Sequence, residues 1–212
     1  MPKIEAFEQF SDAYEEWFER NPEVYEAELD VIRQLLPSPA AEGMEVGVGS
    51  GKFALPLGIR VGVEPSRQMA IKAEQRGIHV FPGVAEDLPF PNDRFGFVLM
   101  VTTICFVDDV NRAFREAFRV LKPGGCLVVG FVDKDSQLGR QYAEKRQNSK
   151  FYREAIFYSA REVLRFLNET GFGAMEIKQI LVPGESQGTI MDGYGKGSFV
   201  AIRGVKAAGG PV

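Results

Sequence analysis

The segment Glu45-Val46-Gly47-Val48-Gly49-Ser50-Gly51 sets three glycines at alternate positions behind an acidic residue. Glycine is needed where the backbone takes a positive φ or where a ligand packs directly against it, so such a turn admits a flat, bulky ligand at close range. Glu64 follows at the end of the next apolar run. A carboxylate offers two acceptor oxygens and a ribose diol two donors, so this residue has the chemistry to hold an adenosine. Two phosphate-binding readings fit less well. A P-loop has more widely spaced glycines and ends in Lys-Ser/Thr, whereas here Phe53 follows Lys52 and no hydroxyl is present for magnesium. A dinucleotide fingerprint needs its third glycine where Lys52 stands. A G-x-G-x-G turn behind an acid fits every position.

The other chemically capable residues read more plainly. His79 is the only histidine and falls in a strand-like run beyond the far end of the nucleoside, where a structural role is favoured over general-base work. Cys105 lies in an apolar run, with nothing beside it to depress its pKa. Asp108-Asp109 reads as the cap of a following helix. Arg112, Arg115, Arg119 and Lys122 make a basic helical stripe of the kind that usually faces solvent. The segment 134–153 carries Arg140, Tyr142, Lys145, Arg146, Tyr152 and Arg153. Its cations suit an anionic acceptor, but the outer face of an exposed helix is the favoured reading. Neither a histidine cluster nor a set of carboxylates suggests a metal.

These residues are carried by a chain of 212 residues, 45% hydrophobic and 25% charged, with a formal net charge of −4. One domain of this size buries roughly 70% of its unfolded surface and needs no staple. Two distant cysteines without CxxC spacing argue against a disulfide scaffold or zinc site. Mild acidity offers no footprint for a nucleic-acid backbone. No apolar stretch is long enough for a membrane span and the acidic start lacks a signal-peptide core, so the expected location is cytoplasmic, with no membrane partner.

Apolar runs at 43–48, 60–64, 79–83, 95–101 and 125–131 predict strands. Helix-like segments at 52–57, 66–75, 109–121, 136–154 and 160–169 alternate with or follow them. That alternation implies βαβ crossovers and a parallel sheet covered on both faces. Two last runs, 175–182 and 197–203, have no helix between them and predict an antiparallel pair at one edge. Ahead of the sheet, Phe7, Phe10, Tyr14, Trp17 and Phe18 share a helical stripe. Asn21-Pro22 breaks that helix, with Asn21 the expected N-cap of a second one whose apolar side is Val24, Leu29, Ile32, Leu35 and Leu36. Pro37-Ser38-Pro39 ends it. The expected organisation is an N-terminal helical cap over 1–39, an α/β core over 40–206 with a lid-like helical insertion at about 134–158, and a small, Gly-rich, flexible tail over 207–212.

Four ordered stretches, EVGVGSG, VGVEPS, GVAEDLPFPNDRFGFVLM and FREAFRVLKPGGCLVVGF, resemble successive motifs of the class I S-adenosylmethionine-dependent methyltransferases. The similarity runs from about Glu42 to Arg203 and is strongest to the methyltransferase type 11 branch, related to ubiquinone and menaquinone C-methyltransferases. It implies a Rossmann-like, doubly wound, mostly parallel seven-stranded sheet with a C-terminal antiparallel hairpin. It also implies S-adenosyl-L-methionine as cofactor, S-adenosyl-L-homocysteine as product, and a small-molecule methyl acceptor for a monomer or homodimer.

By that resemblance Glu45, Gly47, Gly49 and Gly51 line the methionine and ribose part of the cofactor, and Glu64 holds the diol. Pro65 and Ser66 flank the adenine, to which Ala85 gives a backbone N–H and Glu86 an acceptor; Val101 and Thr102 face the transferring methyl group. Relatives often carry an acid where this chain has Val84, which leaves Glu86 or Asp87 to meet the adenine amine. The first helix after the glycines is about a turn shorter than usual, with Pro56 inside it. Tyr14 and Trp17 match a Tyr-x-x-Trp pattern that closes the site in relatives; a plain amphipathic helix is the competing reading. Tyr152, Phe157 and Tyr158 suit an acceptor cavity, and Tyr14, Asp133 and Tyr158 are the catalytic acid–base candidates. A nicotinamide-dinucleotide oxidoreductase and a non-catalytic S-adenosylmethionine-binding protein are the alternatives.

Overall fold

The apolar runs form one sheet in the computed structural model, which describes residues 3–37, 42–181 and 188–209. Its strands are β1 (Gly43–Val46), β2 (Val61–Val63), β3 (His79–Phe81), β4 (Phe95–Val101), β5 (Leu121–Val132), β6 (Phe172–Ile180), β7 (Ile190–Asp192) and β8 (Phe199–Lys206). They lie in the order β3-β2-β1-β4-β5-β8-β6-β7. β1 to β5 pair in parallel, while β8, β6 and β7 add as antiparallel neighbours. The mostly parallel sheet with an antiparallel C-terminal end is therefore present, with eight strands among the described residues instead of seven. The extra strand is Ile190–Asp192, three residues that pair with Lys178–Ile180 and become the sheet edge beyond β6. The Ser38-Pro39 end of the expected linker, Val182 of an expected strand and the last three residues of the expected tail lie outside the described residues.

Strand alternation sends side chains to both faces, and both are covered. Val98 and Met100 of β4 join Val46, Leu127 and Val129 in one core, packed against Phe114 and Ala117 of α5 (Val110–Val120) and Val163 and Leu167 of α7 (Ala160–Thr170). Phe97, Leu99 and Val101 face the other way, with Val128 and Ala201, against Leu29, Ile32 and Leu35 of α3 (Pro22–Leu35) and Ala73 of α4 (Arg67–Gln75). Caps fix the helix starts. Ser66 accepts from the Met69 N–H, Asp109 from that of Arg112, and Ser159 forms a capping box with Glu162.

Four local expectations need correction. Residues 52–57 form turns, with no helix assigned. Leu55 and Leu57 donate to the carbonyls of Gly51 and Phe53, but Pro56 has no N–H to continue the ladder, and Gly58 closes the segment at φ 74°. The aromatic stripe is carried by two helices, α1 (Glu5–Gln9) and α2 (Ser11–Arg20), broken at Phe10. Asn21 stands at the N-cap position of α3 as expected, but without a side-chain cap bond; its amide instead donates to the Trp17 carbonyl 2.8 Å away and so finishes α2. The segment 136–154 divides into α6 (Gln137–Lys145), a short 3-10 turn and non-helical residues.

Candidate active site

Chain order reverses beside β1, which has β2 on one side and β4 on the other. At such a switch point the carboxyl ends of the strands open a crevice, and the glycine turn leaves β1 there. Gly47, Gly49 and Gly51 all have positive φ, at 67°, 55° and 85°. A Cβ on Gly47 would sit 2.5 Å from the Thr103 methyl carbon, and one on Gly51 2.4 Å from Ile78. At Gly49 the nearest atoms are looser, Met69 Cε at 3.5 Å and the Tyr14 hydroxyl at 3.6 Å, because Gly49 faces a cavity of about 620 Å³.

Glu64 lines the same cavity and is 7% exposed. One carboxylate oxygen accepts the Gly49 N–H at 2.8 Å and the other the Ser66 N–H at 2.8 Å. The acid and the glycine turn are thus built as one unit, and each oxygen keeps a further lone-pair position for a ribose hydroxyl. Burial pushes this carboxyl up to about 7 against the two N–H donors, which favour the charged form.

Of the residues singled out from sequence, Tyr14, Trp17, Gly47, Gly49, Glu64, Pro65, Ala85, Glu86, Val101 and Thr102 line this cavity. Glu45, Gly51 and Ser66, expected there too, do not line it. Glu45 is 1% exposed with one oxygen unpartnered, and burial raises its carboxyl well above the usual range. Glu86 is tied across the cavity mouth, accepting the N–H groups of Asp108 and Asp109. Thr102 holds φ 50°, a conformation an L-residue adopts at a cost, directly after β4.

The three acid–base candidates separate. Asp133 binds the Asp135 N–H at 2.9 Å within its own turn, and Tyr158 packs edge-on against Phe166 beside a small separate pocket with Phe157 and Cys105. Neither lines the main cavity. Tyr14 does, but burial raises its phenol far above neutral pH, so it is no base. Burial likewise pushes the Cys105 thiol up to about 12. Arg140, Lys145, Arg146 and Arg153 are exposed and outside the cavity, while Tyr142 and Tyr152 of the same segment line it. His79 is exposed, its ring tilted against that of Phe81.

Charge docks the N-terminal helices on this site. Glu15 binds Arg76 at 2.5 Å and Lys52 at 3.1 Å, Arg76 donates to the Ser50 carbonyl at 2.6 Å, and Lys72 pairs with Asp12 at 2.7 Å. Tyr25 donates to the Lys52 carbonyl. Tyr14 then meets Phe7, Phe18 and Phe151 edge-on over the glycine turn.

Sequence reasoning missed Glu28, which is 7% exposed, lines the cavity, and is pushed up to about 8 by burial. A signal was present: Glu28 sits four residues from both Val24 and Ile32, on the apolar stripe of α3.

Three buried carboxyls predict an inverted pH dependence of stability. Glu28, Glu45 and Glu64 hold their protons more tightly folded than unfolded. Their contribution is complete below about pH 4.5 and is lost as pH rises through the folded values, near 7 for Glu64 and near 8 for Glu28. For Glu64 this amounts to about 3 kcal/mol. Carboxyls held low by partners, such as Glu116 beside Arg119, act only below that window. Thermal melting of the unliganded protein should therefore fall from pH 5 to pH 8, and less so in Glu45→Gln; a melting temperature that climbs across this range would contradict it.

Residues 44–129 match a family model described as a methyltransferase domain. A crystal structure from Thermotoga maritima, of an S-adenosylmethionine-dependent methyltransferase described as a possible histamine N-methyltransferase, is 45% identical, with TM-score 0.91 over 96% of this chain and 99% of that one. An uncharacterised protein of Methanocaldococcus jannaschii is 40% identical over 94% of this chain and 98% of its own length. The rice chloroplastic 2-methyl-6-phytyl-1,4-hydroquinone methyltransferase 1 is 33% identical over 56% of this chain and 33% of its own.

Proposed function

The chain belongs to the S-adenosylmethionine-dependent methyltransferases, and from that premise we propose that this cavity holds the cofactor at the Gly47–Gly49 turn and a small-molecule acceptor beside it. The observation that carries this reading is Glu64, a buried carboxylate locked to the Gly49 and Ser66 N–H groups with acceptor positions to spare. Membership of a methyltransferase family decides against the oxidoreductase alternative.

When bound, S-adenosylmethionine supplies an electrophilic methyl group on a sulfonium. The protein's contribution is alignment and exclusion of water, which together can lower such a barrier by about 7–11 kcal/mol. Gly47 and Gly49 give the methionine and ribose portion close backbone approach, and Glu64 fixes the diol. Pro65, Ala85 and Glu86 line the adenine side, and Val101 and Thr102 the methyl side. Aromatic faces of Tyr14, Trp17 and Phe18 attract a cation without offering a competing nucleophile. A cavity of about 620 Å³ lies within the size range of small-molecule sites, which supports a metabolite acceptor, as do the hydroquinone and amine acceptors named for relatives.

Tyr14 acts in this account as a cover and not as a proton acceptor. Tyr14→Phe should keep turnover within about tenfold, whereas Tyr14→Ala should lose S-adenosylhomocysteine affinity. A large loss confined to the phenylalanine variant would contradict the assignment. The function itself is tested by following methyl-labelled donor against a metabolite panel: transfer to a low-molecular-weight acceptor is expected, and labelling of protein or nucleic acid alone would overturn the reading.

A further inference from the structure

We infer that Glu28 is the acceptor-binding carboxylate of the cavity, and that the acceptor is a small amine with an apolar or aromatic body. This rests on the placement of cofactor and acceptor in that cavity, and goes on to name the acceptor's chemistry. Glu28 projects from α3, is 7% exposed and lines the cavity, yet no described residue gives it a hydrogen bond or an ion pair. A buried carboxylate without a partner is costly, and proteins keep such groups where a ligand completes them. The titratable groups facing it are phenols, Tyr14 from α2, Tyr142 from α6, and Tyr152 from the segment after α6. Lys3 and Arg112 line the same cavity, but no described Lys, Arg or His forms an ion pair with it.

The surroundings suit an organic cation. Tyr142 and Tyr152 stack with centroids 5.1 Å apart, Tyr152 stacks on Phe106, and Phe151 meets Tyr14. Aromatic faces beside a carboxylate that no described cation pairs attract an ammonium group and leave its carbon skeleton in apolar contact. The same carboxylate has a chemical use. An ammonium has no free lone pair; transfer of its proton to a Glu28 oxygen leaves a neutral amine nitrogen, able to act as a nucleophile, and a protonated carboxyl. Burial already holds Glu28 near 8, so its protonated form is accessible at neutral pH.

The test is calorimetric titration of the S-adenosylhomocysteine-loaded protein with phenethylamine, tryptamine, histamine and cyclohexylamine. Phenylethanol and phenylacetate serve as the neutral and anionic isosteres of phenethylamine. At least one amine should bind about 50-fold or more tighter than the uncharged isostere. At pH 7, runs in buffers of different ionisation enthalpy should show close to one proton released per amine bound, because Glu28 must ionise to pair with it. Glu28→Gln should abolish both the preference and the proton release while binding S-adenosylhomocysteine as the wild type does. Amine binding that survives in E28Q, binding with no proton release, or no amine binding at all would overturn the proposal. So would loss of S-adenosylhomocysteine binding by E28Q, which would put Glu28 on the cofactor's own amino group. The wild-type preference and proton count need no variant to fold. Failure of wild-type protein to take up S-adenosylhomocysteine, seen before any amine is added, would overturn the nucleoside site itself and this proposal with it.

Discussion

Glu64→Ala is expected to weaken S-adenosylhomocysteine binding by at least about 100-fold. In the proposed complex the carboxylate supplies both acceptors for the ribose diol, and a hydrogen bond to a charged group contributes about 1.5–3 kcal/mol. The same change also releases the N–H groups of Gly49 and Ser66, so the glycine turn loses its brace. Glu64→Gln keeps one acceptor oxygen and should lose less, about tenfold. The wild-type protein adds an independent signature. Its free carboxyl lies near 7 because burial outweighs the two N–H donors, and binding a diol favours the ionised form. Affinity should therefore fall as pH drops below 7, by up to about tenfold per pH unit, and should be flat in Glu64→Gln. Calorimetry between pH 5.5 and 8 measures both; a wild-type affinity independent of pH, together with an innocuous Glu64→Ala, would remove the diol from this residue.

Gly49→Leu should abolish measurable cofactor binding. The residue holds φ 55°, where any side chain other than glycine's costs about 1–2 kcal/mol. Its Cβ would enter the cavity between Met69 and the Tyr14 hydroxyl. Because those neighbours stand 3.5 and 3.6 Å away, an alanine there meets ordinary contact distances, and Gly49→Ala should fold and bind more weakly. The comparison separates backbone strain from occlusion: strain is common to both variants, while the branched chain alone fills the space. Circular dichroism should show both folded. Equal affinities for all three proteins would place the nucleoside elsewhere.

The layered α/β sheet was legible because its strands are buried on both faces and read as continuous apolar runs; Phe95–Val101 was predicted to the residue. Short or irregular pieces were not. Ile190–Asp192 is a strand only because β6 offers a free edge, a tertiary fact with no period in the sequence. The segment after the glycines carries helical spacing, but one proline removes the donor that would have joined its turns. Phe10 shares the aromatic spacing of its neighbours, and only the structure reveals the break between α1 and α2 there.

At the site, the glycines and Glu64 announced themselves because few other backbone or acceptor requirements produce that pattern. Asp133 and Tyr158 are candidates by residue type, as an acid and a phenol, but the turn at 133–136 and Phe166 hold them instead. Glu28 was overlooked among four acids in one helix, Glu23, Glu26, Glu28 and Asp30; what sets it apart is its place on the buried stripe. The residues proposed to flank the acceptor come from α2, α3 and the segment after β5, so their convergence is a property of the fold and not of any motif.

The most direct measurement is a crystal structure of the protein soaked or grown with S-adenosylhomocysteine. Density is expected along the Gly47–Gly49 turn, with both ribose hydroxyls within hydrogen-bond distance of the Glu64 carboxylate and the homocysteine end running beneath Tyr14. Density bound elsewhere, or a ribose that leaves Glu64 untouched, would contradict that placement.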